Sequence, residues 1–254
     1  MSEVMSNFMR NNVATTNSRD GSRHAVIVET RYVKLDENTY GWLRIALADG
    51  GFDFLCEYTK VTMVKTENGR THFKVADGWS ASVGKTASLS EENAAKHLVK
   101  SAPANRMETV RIKYGPRKEE VSPFKGRLLQ QWATLNVRGQ AIRVTLNSLW
   151  NGAFFPIPQG IHRIMAPDTS HANISTRGYR DSFPGRIKAN DVWFPIELDG
   201  KIGNSSRYVH IGHLSEGCVT VYDIERWNIV YDFLISNRLS GSNGRYVALL
   251  EVTI

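Results

Sequence analysis

From residue 26 onward the chain breaks into short runs of β-branched and aromatic residues separated by glycine and asparagine turns. This pattern constrains the fold more than any other, because runs of this length suit strands and are too short for ordinary helices. Val26–Val33, Tyr40–Ala48, Phe52–Tyr58, Lys60–Lys65 and Thr71–Val75 read as strands, with Asn68-Gly69 as a hairpin turn between the last two. Met107–Tyr114, Ala141–Asn147 and Tyr246–Ile254 continue the series. Helical spacing is found twice. Ser90–Lys100 reads as a short helix with Ser90 as N-cap. After Asp223, a second possible cap, Ile224, Trp227, Tyr231, Leu234 and Ile235 recur at helical spacing, and Gly241 and Gly244 punctuate the end. The expected fold is mainly β with a few helices.

Residues 1–22, rich in Asn, Ser, Thr, Asp and Gly, read as disordered. The charged stretch Gly115–Pro123, with Pro116 and Pro123, is the best candidate for a linker or a long turn. It places a boundary near residue 125, between a β-rich N-terminal domain of unassigned role (23–125) and a second β-rich domain (126–254). A 41% hydrophobic content is enough for a core without disulfides, and Cys56 and Cys218 are the only cysteines. Cys56 lies in the aromatic run Phe52–Tyr58 and reads as a buried structural thiol. The net charge of +7 favours anionic partners. No basic run with interleaved aromatics points to nucleic acid, and no long apolar run points to membrane insertion. Met1–Asp20 has no apolar core of the kind a cleavable signal peptide carries.

The chemistry concentrates in Arg207–Val221, which holds a strand-like Tyr208-Val209-His210-Ile211 and then Ser215-Glu216-Gly217-Cys218. A thiol attacks as thiolate, and a nearby imidazole can take its proton and return it to a leaving group. Gly217 permits a tight turn, from which the Gly217 and Cys218 amides can face an oxyanion. In an extended strand Tyr208, His210 and Gly212 share one face, while Val209 and Ile211 face the core. Cys218 is therefore the candidate nucleophile and His210 the candidate base. His213 is the rival base, or else lines the site mouth or faces solvent.

Tyr208-Val209-His210 with Ser215-Glu216-Gly217-Cys218-Val219 resembles the signature of L,D-transpeptidase (YkuD-like) catalytic domains. Phe155-Pro156-Ile157-Pro158-Gln159-Gly160-Ile161-His162-Arg163-Ile164 resembles the segment that opens those domains. The resemblance spans roughly the last 125 residues. It departs in three places: His210 and Ser215 nearly adjoin, Glu216 stands where most members have His, and Thr220 stands where many have Arg or Asn. The short gap and the Ser-Glu-Gly-Cys turn resemble a divergent branch that includes type VI secretion effectors.

The resemblance implies attack of Cys218 on the third residue of a peptidoglycan stem peptide, by a YkuD-like β-rich domain that needs no cofactor. Water as acceptor makes an L,D-carboxypeptidase, a second stem a transpeptidase, and a free D-amino acid an exchange enzyme. It also implies an antibacterial effector acting in a target-cell periplasm, with an immunity protein and a secretion spike component as partners. Ser215 orients the imidazole or the turn, or simply forms the turn. Arg207 grips a substrate carboxylate or makes a surface salt bridge. Glu216 recognises an amino group, such as that of diaminopimelate, or is solvated. Tyr208 and His171 fall on the substrate side, as do Tyr179 and its neighbouring arginines. His162, Asp168 and His171 are spaced more loosely than zinc ligands, so no metal site is assigned. A cytoplasmic cysteine protease or amidase, and a non-enzymatic basic binding module, are the alternatives.

Overall fold

The computed structural model describes residues 29–36, 40–171, 174 and 176–254, and in these strands dominate. The reading of 1–22 lies outside the described residues. Seven strands form an antiparallel first sheet: β1 (Thr30–Val33), β2 (Trp42–Leu47), β3 (Phe52–Cys56), β4 (Lys60–Glu67), β5 (Arg70–Val75), β6 (Thr86–Ser90) and β7 (Leu98–Val99), in the order β3-β2-β6-β5-β4-β1-β7. Asn68 (φ 52°) and Gly69 (φ 74°) turn β4 into β5 with the left-handed pair that a two-residue hairpin requires. Helix α1 (Glu91–His97) follows, and Ser90 caps it by accepting the Asn93 N–H at 3.2 Å. Alternation puts Phe73, Val75, Ala87 and Leu89 on one face, where Ala94 of α1 packs with them in a core of their own.

The remaining long strands close into an eight-stranded barrel. They are β9 (Thr109–Ser122), β10 (Gly126–Val137), β11 (Gln140–Thr145), β12 (Gly160–Met165), β13 (Phe194–Glu197), β14 (Tyr208–Ile211), β15 (Val219–Val221) and β17 (Tyr246–Thr253). Around the barrel they run β10-β11-β15-β14-β13-β12-β17-β9. The short β8 (Ala104–Asn105) and β16 (Asn237–Arg238) pair with each other. Helix α2 (Arg177–Ser182) lies between β12 and β13, and α3 (Trp227–Ile235) between β15 and β16. The barrel's alternating residues, such as Ile112, Leu135, Val144, Ile164, Val209 and Val221, share one core with Trp227 and Leu234 of α3. Asp223 does not cap that helix with its side chain. Its carboxylate accepts from the Arg143 backbone N–H and Nε instead.

The stretch expected to be a linker or long turn is strand over most of its length. Residues 115–122 belong to β9, so the barrel begins before residue 125, and a cut there would split the β9–β10 hairpin. The Gly115-Pro116 pair sits where the register slips, between the Tyr114–Ala133 and Arg117–Gln131 pairs. A β-bulge is the place in a sheet where a proline without an N–H is tolerated. The first sheet is tied to the barrel by Trp42 Nε1 donating to Asp191 O (3.2 Å), Trp79 Nε1 to Arg245 O (2.6 Å) and Tyr231 Oη to Glu57 (3.2 Å). Cys56 is buried against the barrel core, with Sγ 3.4 Å from Thr59 Oγ1.

Candidate active site

β14 and β15 are neighbours in the barrel and run parallel, with Val209 opposite Val219 and His210 opposite Thr220. Cys218 stands one residue before β15, on the Thr220 side of the alternation. Adjacent strands lie about 4.8 Å apart, so Cys218 and His210 come onto one wall. Both line a cavity of about 390 Å³ together with Phe154, Tyr179, Trp193, Tyr208 and Glu216. Lys125, at the tip of the β9–β10 hairpin, lines it too, so the stretch read as a linker leads into the site wall.

His210 is buried, and its ring is held on three sides. Nδ1–H donates to the Ile211 carbonyl at 2.9 Å, which fixes the proton on Nδ1 and makes Nε2 the acceptor. The Thr220 hydroxyl donates to Nε2 at 3.1 Å, and it must turn aside before that nitrogen can take another proton. The indole of Trp193 stacks on the imidazole at 4.1 Å with 12° between planes, and His171 in turn stacks on that indole at 4.7 Å. Burial lowers the imidazole pKa to about 4, so His210 rests neutral at pH 7. Cys218 is 7% exposed, and burial pushes its thiol up to about 11 against the pull of the Tyr208 backbone N–H and the Arg207 guanidinium. The resting pair is thiol and imidazole, not thiolate and imidazolium.

The turn carrying the nucleophile is built from buried polar groups. Ser215 Oγ accepts the Cys218 N–H at 3.1 Å and donates to the Cys218 carbonyl at 2.9 Å. Asn147 Oδ1 accepts the Gly217 N–H at 3.1 Å. Ser148 Oγ accepts the Ser215 N–H (3.1 Å) and donates to Gln130 Oε1 (2.5 Å), which also accepts from Thr145 Oγ1 (2.6 Å). Ser215 therefore orients the turn and not the imidazole. Both amides assigned to the oxyanion are already engaged, which corrects that expectation for the structure as it stands. Gly217 needs its φ of 77°, and a Cβ there would lie 2.6 Å from Arg207 Nε and 2.7 Å from the Phe155 carbonyl.

The other expected residues divide. Tyr208 and Glu216 line the cavity, so Glu216 is not simply solvated. Arg207 is not a cavity-wall residue. It lies behind Gly217, 4.0 Å over the Phe154 ring, with Nη2 donating to Phe155 O at 3.4 Å and a buried Nε without a partner. It forms no salt bridge among the described residues, and it stands behind the cavity wall. His171 also sits one layer back, against Trp193 and Tyr208. His213 is turned away from the cavity. Its Nδ1 accepts from Ser122 Oγ (2.7 Å), its Nε2–H donates to the Tyr222 carbonyl (3.1 Å) and its ring stacks on Tyr222. Unlike His210 it does not line the Cys218 cavity, and that argues against it as the rival base and as a substrate contact. Tyr179 reaches the cavity, whereas Arg177, Arg180 and Arg186 do not line it.

Sequence reasoning missed Asn147, Ser148 and Gln130, and read Trp193 as core alone. The polar Asn147-Ser148 pair, one residue beyond the end of β11, was the one available signal. His162 is engaged separately, by Pro158 O and the Asp199 N–H, and no cluster of metal-ligand residues occurs among the described residues. A larger recess of about 540 Å³, between the first sheet and the barrel, is lined by Lys34, Glu57, Arg138 and Lys188 and carries neither Cys nor His. No family model matches the chain, and no curated protein or solved structure matches it significantly.

Proposed function

We propose that this chain is a cysteine acyl-transfer enzyme of the L,D-transpeptidase type, acting on peptidoglycan stem peptides as an L,D-carboxypeptidase, with transpeptidation or D-amino-acid exchange as acceptor variants. The observation that carries the reading is the parallel pairing of β14 with β15, which sets His210 beside Cys218 on the wall of one cavity. Cys218 Sγ attacks the carbonyl carbon as its proton passes to His210 Nε2, so an S–C bond forms without a preformed ion pair. His210 then gives that proton to the departing D-Ala nitrogen as the C–N bond breaks, leaving a thioester. Water or an acceptor amine, deprotonated by the same Nε2, releases the acyl group. Ser215 Oγ holds the Cys218 N–H in the unliganded arrangement, and turning that hydroxyl aside frees the amide for the carbonyl oxygen.

The substrate places the action in a periplasm. The proposal extends to an antibacterial effector carried by a secretion spike and blocked by an immunity protein seated on the Cys218 cavity. The test is incubation with purified tetrapeptide muropeptides, read by mass spectrometry. Tripeptides or exchanged termini are expected from the wild type and not from Cys218→Ser. Unchanged muropeptides, or more than a few per cent of turnover in Cys218→Ser, overturn the assignment. The opposing reading, a binding module with an inert thiol, draws on the burial that pushes Cys218 up to about 11. It predicts no turnover at any pH.

A further inference from the structure

The cavity beside Cys218 carries one carboxylate, Glu216, set among the aromatic rings of Phe154, Tyr179, Trp193 and Tyr208. Glu216 is half-buried, and its carboxylate packs so closely on Gly152 that a side chain there would collide with it. It forms no ion pair with a cation among the described residues. Lys125 shares the cavity wall without reaching ion-pair distance, and the Arg207 guanidinium behind Gly217 attracts the carboxylate only from beyond that distance. A half-buried carboxylate without a counter-ion in contact costs stability. Here it also opposes the chemistry, because its charge disfavours the Cys218 thiolate while Arg207 favours it. The two tyrosine hydroxyls and the neutral His210 supply no positive charge to balance it. Nothing in the fold requires an acid at this point: the turn is held by Ser215, Asn147 and Ser148, not by the Glu216 side chain.

Resting on the acyl-transfer reading, we infer that Glu216 is the specificity residue of this cavity, receiving a primary ammonium group of the substrate against the aromatic wall. An ammonium is compact, brings three donors to a carboxylate, and is drawn to the faces of Tyr, Trp and Phe rings. Its arrival cancels the charge that opposes thiolate formation, so binding of the correct substrate also readies the nucleophile. A neutral or anionic analogue would bind without that gain. Specificity and reactivity are joined in one residue.

Charged thiol reagents test this without any assumption about peptidoglycan. 2-Aminoethyl, methyl and 2-sulfonatoethyl methanethiosulfonates differ in charge but transfer their thio group alike: the thiolate attacks the sulfenyl sulfur, a disulfide forms and methanesulfinate leaves. Rates at Cys218, assigned by peptide mass mapping to exclude Cys56, are divided by those of a small free thiol. The aminoethyl reagent is expected to lead the methyl reagent by about tenfold, the factor of one short-range ion pair, with the sulfonate slowest. Glu216→Gln is expected to bring the three ratios together. Retention of the order in folded Glu216→Gln, or a sulfonate preference in the wild type, overturns the inference. Should Glu216→Gln not fold, Glu216→Ala is read in its place, and retention of the order there also overturns the inference. Charge preference without muropeptide turnover refutes the proposed substrate alone. Muropeptide turnover without charge preference refutes this inference alone.

Discussion

At the residue scale the decisive fact is that Cys218 and His210 are both buried and both neutral at rest. Alkylation by a neutral, small reagent such as iodoacetamide follows the thiolate fraction. Its rate at Cys218 should therefore rise about tenfold per pH unit from 7 to 10, with no plateau between 6 and 8. A plateau in that window would show a preformed ion pair and sink the neutral-pair description. Removing the base separates the two histidines. His210→Ala should lower kcat by ~10²–10⁴-fold, whereas His213→Ala, whose ring serves Ser122 and Tyr222, should act mainly through stability. Equal losses of kcat in well-folded forms of both variants would refute that division.

At the element scale the Ser215–Cys218 turn matters more than either strand beside it. It depends on a left-handed Gly217 with no room for a Cβ. Gly217→Ala should displace Arg207 or the Phe155 carbonyl and lower stability by ~1–3 kcal/mol. Asn147→Ala should leave the buried Gly217 N–H without an acceptor, at a similar cost of ~1–3 kcal/mol. Denaturant unfolding checks both, and a midpoint unchanged in either variant would mean that the turn is softer than its hydrogen bonds indicate. β9 teaches the complementary lesson. Its Gly-Pro and charged residues are those of a loop, yet the bulge opposite β10 makes them strand. A proline reads as a breaker only until a register shift accommodates it.

At the scale of the whole molecule, two buried imidazoles of the barrel set a definite pH response. Burial lowers the imidazoles of His210 and His213 to about 4, from an ordinary value of 6.5. Between those limits the unfolded chain takes up protons that the folded chain refuses. Stability is thus full above about 6.5 and declines as the pH falls toward 4. The melting temperature should drop over that interval, and His213→Gln should flatten the drop. A melting temperature constant from pH 7 to 4.5 would contradict the burial of both rings. Truncating Trp227, fully buried beneath the barrel, should cost ~3–5 kcal/mol and unfold barrel and α3 together in a thermal melt.

Read alone, the sequence determined what is local. Strand periodicity, the Asn68-Gly69 hairpin, the Ser90 cap, the α3 stripe and the Tyr208/His210 face follow from period, turn chemistry and side-chain size, which act over a few residues. Cys218 and His210 stood out because their partners lie within that range. Only the tertiary structure decided what depends on distant chain. Closure of the barrel through β9 drew residues 109–122 into the unit read as starting at 126. It brought Asn147 and Gln130 under the Cys218 turn, Trp193 onto His210, and Glu216 into an aromatic cavity. The same closure sent Arg207, His171 and His213 elsewhere. A polar residue's role is fixed by what is left to bond with once water is excluded, and that is a property of packing, not of neighbours in sequence.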